Sequence, residues 1–181
     1  MNLQKMFEMQ KLLDDRIIKE KGLEGQDLLP NLILALQVEL AECANEWRGF
    51  KHWSNDQEPR TKHPLEVSPN GTFRKGGNPL LEEYVDCLHF LLSIGNKIGV
   101  KEYAPIKYFM LTNDITGLFN SIFKLIGQWD RLFLFIDHDP YHFVMYQFLQ
   151  LGEALGFTRQ EIETAYMEKN VVNHQRQQEG D

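Results

Sequence analysis

The sequence predicts an all-α fold, a helical bundle, and three observations carry that expectation. Apolar residues recur at three- and four-residue steps along most of the 181 residues. Strand-like alternation is scarce. Glycine, proline and capping residues punctuate the periodic runs where helices begin and end.

Leu3, Phe7, Gln10, Leu13 and Ile17 define the first amphipathic helix, and Gly22 and Gly25 break the chain after it. Asp27 is a suitable N-cap and Pro30 is tolerated in a first turn, so a second helix is expected from about Leu29 to Arg48, with Gly49 ending it. Residues 54–79 differ in kind. They hold four of the seven prolines and few periodic apolar residues, which predicts a long exposed loop with a small hairpin around Asn70-Gly71. The loop is basic at Arg74-Lys75. Pro79 opens a third helix, Leu80 to Ile98, ended near Gly99. After a connector around Pro105, a buried helix is expected from Asn113 to Phe135 and another over 140–155. Thr158-Arg-Gln-Glu161 is a capping box that starts a last helix to about Val172, and a polar tail, flexible from about residue 173, follows. No fixed-period repeat is visible, so residues 1–181 are read as one domain.

Composition narrows the function classes. A hydrophobic share of 43% with 25% charged residues is ordinary for a soluble globular protein. The net charge of -7, with no segregated basic face, argues against nucleic acid as a partner. No apolar run reaches the ~20 residues that span a bilayer, and the acid-bearing N-terminus is unlike a signal peptide. Cys43 and Cys87 lie in helical patterns without Cys-x-x-Cys spacing, which fits free thiols. A cytoplasmic protein is expected.

The chemistry-bearing pattern is acidic. Glu39 and Glu42 lie three apart, hence on one helix face, and Glu46 extends their stripe. Glu83 and Asp86 repeat the arrangement on the third helix. Both pairs sit among apolar neighbours, so the two helices should pack together and bring four carboxylates into one place. Like charges so placed repel, and a hard cation removes the conflict. Carboxylate oxygens suit Mg²⁺ or Mn²⁺, with water and phosphate completing the shell. A solvated acidic face is the plainer reading of either pair alone. The spacing Glu83-x-x-Asp86-x-x-His89 also partly mimics a di-iron carboxylate bundle, but the helix bearing Glu39 offers no histidine.

These residues resemble the signature of the all-α nucleoside triphosphate pyrophosphohydrolases, which include the MazG-like enzymes, and more closely the dimeric dUTPases. FEMQKLLDDRI (7–17), LQVELAECANEWRGFKHWS (36–54), NPLLEEYVDCLHFLLSIG (78–95) and YMEKNVVNHQRQ (166–177) carry the likeness over most of the chain. The resemblance implies an intertwined homodimer that cleaves dUTP, and often dUDP, to dUMP. It implies two or three Mg²⁺ ions, with Mn²⁺ a possible substitute, held by Glu39, Glu42, Glu83 and Asp86. Glu39 would polarise the water that attacks the β-phosphorus. Lys169, Asn173 and Arg176 match the family's phosphate-binding motif, although basic residues near a helix C-terminus also simply complement the dipole. The family places a His-Phe pair near the base, here His89 and Phe90, each of which could equally be a packing residue. Gln10, Asp14, Lys51 and Trp53 are further candidates for base or sugar contacts. The metal cluster alone does not separate dUTP from dCTP or a MazG-like substrate, and a non-enzymatic helical interaction protein remains the blandest alternative.

Overall fold

The computed structural model describes residues 1–68, 71–74, 76–100, 114–129 and 140–179. Six helices occur among them: α1 (Leu3–Glu20), α2 (Leu29–Trp47), α3 (Pro79–Ile98), α4 (Ile115–Gly127), α5 (Pro140–Ala154) and α6 (Arg159–Glu179). A two-stranded hairpin, β1 (Leu65–Ser68) and β2 (Gly71–Arg74), interrupts them. The bundle is therefore all-α apart from the hairpin expected near Asn70-Gly71. Asn70 itself, Lys75, the connector around Pro105, Asn113 and residues 130–135 lie outside the described residues.

Local chemistry sets the helix ends. The Asn2 side chain accepts from the Lys5 amide at 3.0 Å and opens α1. Leu28, not Asp27, holds the N-cap position of α2. The Asp27 carboxylate still serves that end by accepting from the Leu29 amide at 3.1 Å. Helix α2 stops one residue earlier than expected, because Arg48 takes up the left-handed conformation (φ 65°) that is uncommon outside glycine. Its buried side chain compensates by pairing with Asp56 at 2.9 Å. Asn78 caps α3, Pro79 fills its first turn, and Gly99 ends it at φ 83°. Thr158 and Glu161 exchange reciprocal bonds at the start of α6: the Glu161 carboxylate accepts from the Thr158 amide at 2.8 Å and the Thr158 hydroxyl from the Glu161 amide at 3.2 Å. Helix α6 does not stop near Val172 but continues to Glu179.

Helix α3 is the axis of the molecule and touches α1, α2, α5 and α6. It buries residues on nearly all sides, from Leu80 through Tyr84, Leu88, Leu91 and Leu92 to Gly95. Gly95 is required by packing: a β-carbon there would lie 2.7 Å from both the Phe7 and Tyr141 rings. Tyr84 stacks on Phe148 (centroids 4.3 Å apart) and donates to the Phe148 carbonyl at 3.0 Å, so its hydroxyl is satisfied in the core. The loop after α2 is tied down at its first half. Arg60 pairs with Glu46 at 2.9 Å, and its amide and carbonyl bond Glu46 and Leu80. No helix among the described residues is long and apolar enough to cross a membrane.

Candidate active site

Helices α2 and α3 pack along their apolar faces through Leu36, Leu40, Cys43, Leu80, Cys87 and Leu91. That contact fixes what lies beside it. Glu39 from α2 and Glu83 and Asp86 from α3 each bring a carboxylate oxygen within 4.8 Å of the others. Glu42, the fourth predicted ligand, is exposed on the rim of this cluster. It still lies close enough for its charge to act on Glu39 and Glu83.

Partial burial and mutual repulsion hold these acids above their ordinary range. Desolvation comes first for all three. Glu83 is pushed up to about 7, with the charges of Asp86, Glu39 and Glu42 adding to burial. Glu39 rises through burial and then the charges of Asp86 and Glu42, and a hydrogen bond shared with Glu83 opposes the shift. Asp86 rises through burial against the pull of Lys169 and Arg176. A lysine partly answers the negative charge: the Lys169 ammonium of α6 donates to Asp86 Oδ2 at 2.5 Å. An all-oxygen donor set under like-charge strain, with an ammonium already seated on one member, fits a divalent cation.

The cluster opens on a cavity of about 830 Å³ whose walls come from α1, α2, α3 and α6. Glu39, Asp86, Lys169, Asn173 and Arg176 line it together with Gln10, Asp14, His89 and Phe90. The extension of α6 past Val172 is what carries Asn173 and Arg176 along the wall. Lys51 and Trp53 are not among the lining residues. Lys51 bonds Asn45, and Trp53, 67% exposed, packs edge-on to Phe50 and His52.

Within the cavity wall lies a largely buried polar network. Gln10 Nε2 donates to Asp14 Oδ1 at 2.9 Å and to Ser93 Oγ at 3.0 Å, and the Ser93 hydroxyl donates to Asp14 Oδ1 at 2.9 Å. Gln10 Oε1 lies 2.7 Å from His89 Nδ1 and accepts from the Tyr166 hydroxyl at 3.1 Å. His89 stacks on Tyr166 with ring centroids 4.3 Å apart. Burial, helped by the Lys169 charge, drives the imidazole pKa down to about 3, so the ring is neutral. His89 stands outside the carboxylate cluster, so it does not join Glu39, Glu83 and Asp86 as an iron-type imidazole ligand. Burial raises Asp14 to about 6 against the bonds from Gln10 and Ser93.

Ser93 and Tyr166 were not singled out in the sequence, although a signal existed. Ser93 follows His89 by one helical turn, and Tyr166 precedes Lys169 by three residues, so each extends a stripe already chosen. Cys43 and Cys87 are buried free thiols, and burial raises both above the usual thiol range.

A sequence profile of the family described as dUTPase matches residues 2–67 and 71–180. No curated protein matches the chain.

Proposed function

The chain belongs to the all-α dUTPase family and is a dUTP diphosphatase, and on that premise we propose that Glu39, Glu42, Glu83 and Asp86 hold Mg²⁺ for hydrolysis of dUTP to dUMP and pyrophosphate. The observation that carries this reading is the convergence of Glu39, Glu83 and Asp86, two of which, Glu39 and Asp86, line a cavity together with Lys169, Asn173 and Arg176. Two or three ions suit four carboxylates, and Mn²⁺ could replace Mg²⁺ because it takes the same oxygen donors. Bound there, the metal neutralises phosphate charge and lowers the pKa of water.

The protein's own groups divide the remaining work. Glu39, whose carboxyl is held up by burial and by Asp86 and Glu42, takes the proton of the attacking water. The water oxygen bonds the β-phosphorus, and the bridge to the α-phosphorus breaks, so dUMP departs with the bridging oxygen. The same attack point accounts for dUDP as a second substrate. Lys169 offers a point charge, Arg176 a planar fork and Asn173 an amide donor to the phosphate oxygens. His89 and Phe90 face the base end, and Asp14 lies beside them. Gln10 lies in the same wall and supports that end, since both ends of its amide are engaged by protein groups. Lys51 and Trp53, on the loop after α2, are placed to meet substrate only if that loop moves toward the cavity.

A homodimer without nucleic-acid or membrane partners and a cytoplasmic location complete the proposal. Exposed Leu34 and Val38, four residues apart on α2, support a second copy as the partner. A panel of deoxynucleoside triphosphates with pyrophosphate detection, in Mg²⁺ and again in EDTA, tests the catalytic reading. Preferred turnover of dUTP, abolished by EDTA, is expected; preference for dCTP, or indifference to the base, would replace it with a related pyrophosphohydrolase activity.

A further inference from the structure

An ionised Asp14 sets the direction of the hydrogens around it in the polar network of the cavity wall. An ionised Asp14 carboxylate only accepts, so the Ser93 hydroxyl points its hydrogen at Asp14 and leaves its oxygen to accept from Gln10. The Gln10 amide nitrogen then donates to Asp14 at 2.9 Å and to Ser93 at 3.0 Å. The amide oxygen must therefore face the other way, toward His89 Nδ1 at 2.7 Å and the Tyr166 hydroxyl at 3.1 Å. A reversed amide would set its oxygen against the Asp14 carboxylate at 2.9 Å, acceptor against acceptor.

An oxygen that only accepts requires a hydrogen on Nδ1. In a neutral imidazole that leaves Nε2 as a bare lone pair. His89 is 5% exposed, and its Nε2 is buried with no hydrogen-bond partner among the described residues. A buried unpaired acceptor costs roughly 1–3 kcal/mol, and His89 lines the cavity wall. A ligand donor presented to that nitrogen recovers the cost.

We propose that Asp14 and Ser93, acting through Gln10, are positioning residues that lock His89 in the Nδ1–H tautomer and so make the base end of the cavity select a ring bearing N–H. This rests on the reading of His89 and Phe90 as the base end. Uracil presents N3–H between two carbonyls and satisfies the lone pair. Cytosine presents a lone pair at the same ring position and meets acceptor with acceptor. Tyr166 secures the arrangement from the opposite side: it stacks on the imidazole, and its hydroxyl is shared between Gln10 Oε1 and the Met6 carbonyl.

Asp14→Asn tests this, because an isosteric amide can offer NH₂ to a reversed Gln10 and release the tautomer. Ser93→Ala removes one of the two anchors and serves as the milder variant. Two readouts are taken on the full chain at pH 8, where Asp14 is ionised. The ¹⁵N resonances of the His89 ring report the tautomer directly, and kcat/KM for dUTP against dCTP in Mg²⁺ reports selectivity. The wild type should show Nδ1–H. In Asp14→Asn, Nε2–H should appear and the dUTP:dCTP ratio should fall by about tenfold to a hundredfold, with KM for dUTP rising more than kcat falls; Ser93→Ala should fall less. A wild-type Nε2–H tautomer, or a folded Asp14→Asn protein with tautomer or selectivity unchanged, overturns the proposal. Equal turnover of dUTP and dCTP by the wild type overturns the underlying base reading instead, while the wild-type ring signals decide the tautomer lock separately.

Discussion

Glu39 stands between Glu83, with which it shares a hydrogen bond, and the charges of Asp86 and Glu42. In the metal-free protein, burial and those charges raise its proton affinity above that of a free carboxylate. Glu39→Gln keeps the shape and removes the base, so kcat for dUTP at saturating Mg²⁺ should fall by about 10²–10⁴; stopped-time pyrophosphate release measures it. A pH dependence follows from the same acids. Carboxyls whose folded pKa is raised favour the protonated fold, so the metal-free protein loses stability as pH rises through the Glu83 pKa of about 7. Mg²⁺ binds only the ionised site and reverses that loss. At a hundredfold excess over its Kd it should raise Tm by roughly 5–10 °C at pH 8 and by clearly less at pH 6, as read by differential scanning calorimetry. Residue types and helical spacing made Glu39, Glu83 and Asp86 legible in the sequence. The mutual bonding of Gln10, Asp14, Ser93 and His89 was not, because it joins α1 to α3 across some eighty positions and no local spacing encodes it.

Helix α3 works as an element because one of its edges is thin enough to let others in. Gly95 admits the Phe7 and Tyr141 rings at a distance no side chain would permit. Gly95→Ala should therefore destabilise the fold by about 1–3 kcal/mol through overpacking, seen as a lower urea midpoint with an unchanged slope. Asn96, the next residue, donates to the Phe7 carbonyl at 3.1 Å and keeps α1 in register with α3, so the loss should also loosen the wall that carries Gln10 and Asp14. The end of α1, both ends of α3 and the start of α6 were readable because Gly22, Pro79, Gly99 and the Thr158–Glu161 pair act locally, within about a turn of each boundary. Two boundaries were less so. Arg48 ends α2 in a left-handed conformation whose support, Asp56, sits eight residues later in a loop. Polar Asn173 to Gln177 looked like a tail, yet their neighbours on α1 give them a surface: Arg16 donates to the His174 carbonyl at 3.1 Å.

At the scale of the molecule, α2 turns one face to the core and another to solvent. Leu34 is 62% and Val38 47% exposed, well beyond what a core helix leaves uncovered. The proposed homodimer assigns that face to a second copy, adjacent to exposed Glu42. Charging it with Leu34→Glu and Val38→Glu together should convert a dimer to a monomer in multi-angle light scattering; a wild-type mass of one chain would remove the proposal. The all-α architecture was legible because periodicity is a local property, whereas the surface left for a partner depends on which stripes the other helices cover. The cavity has a further consequence, one of time. Its wall joins Gln10 to Tyr166, 156 positions apart, and at the usual pace of synthesis that interval lasts roughly 8–30 s. Throughout it the emerging α1 carries Gln10 without Tyr166, and Asp86 waits for Lys169. Until α6 has been made the chain has a core helix pair but no closed substrate chamber, and hydrolysis begins only once α6 docks.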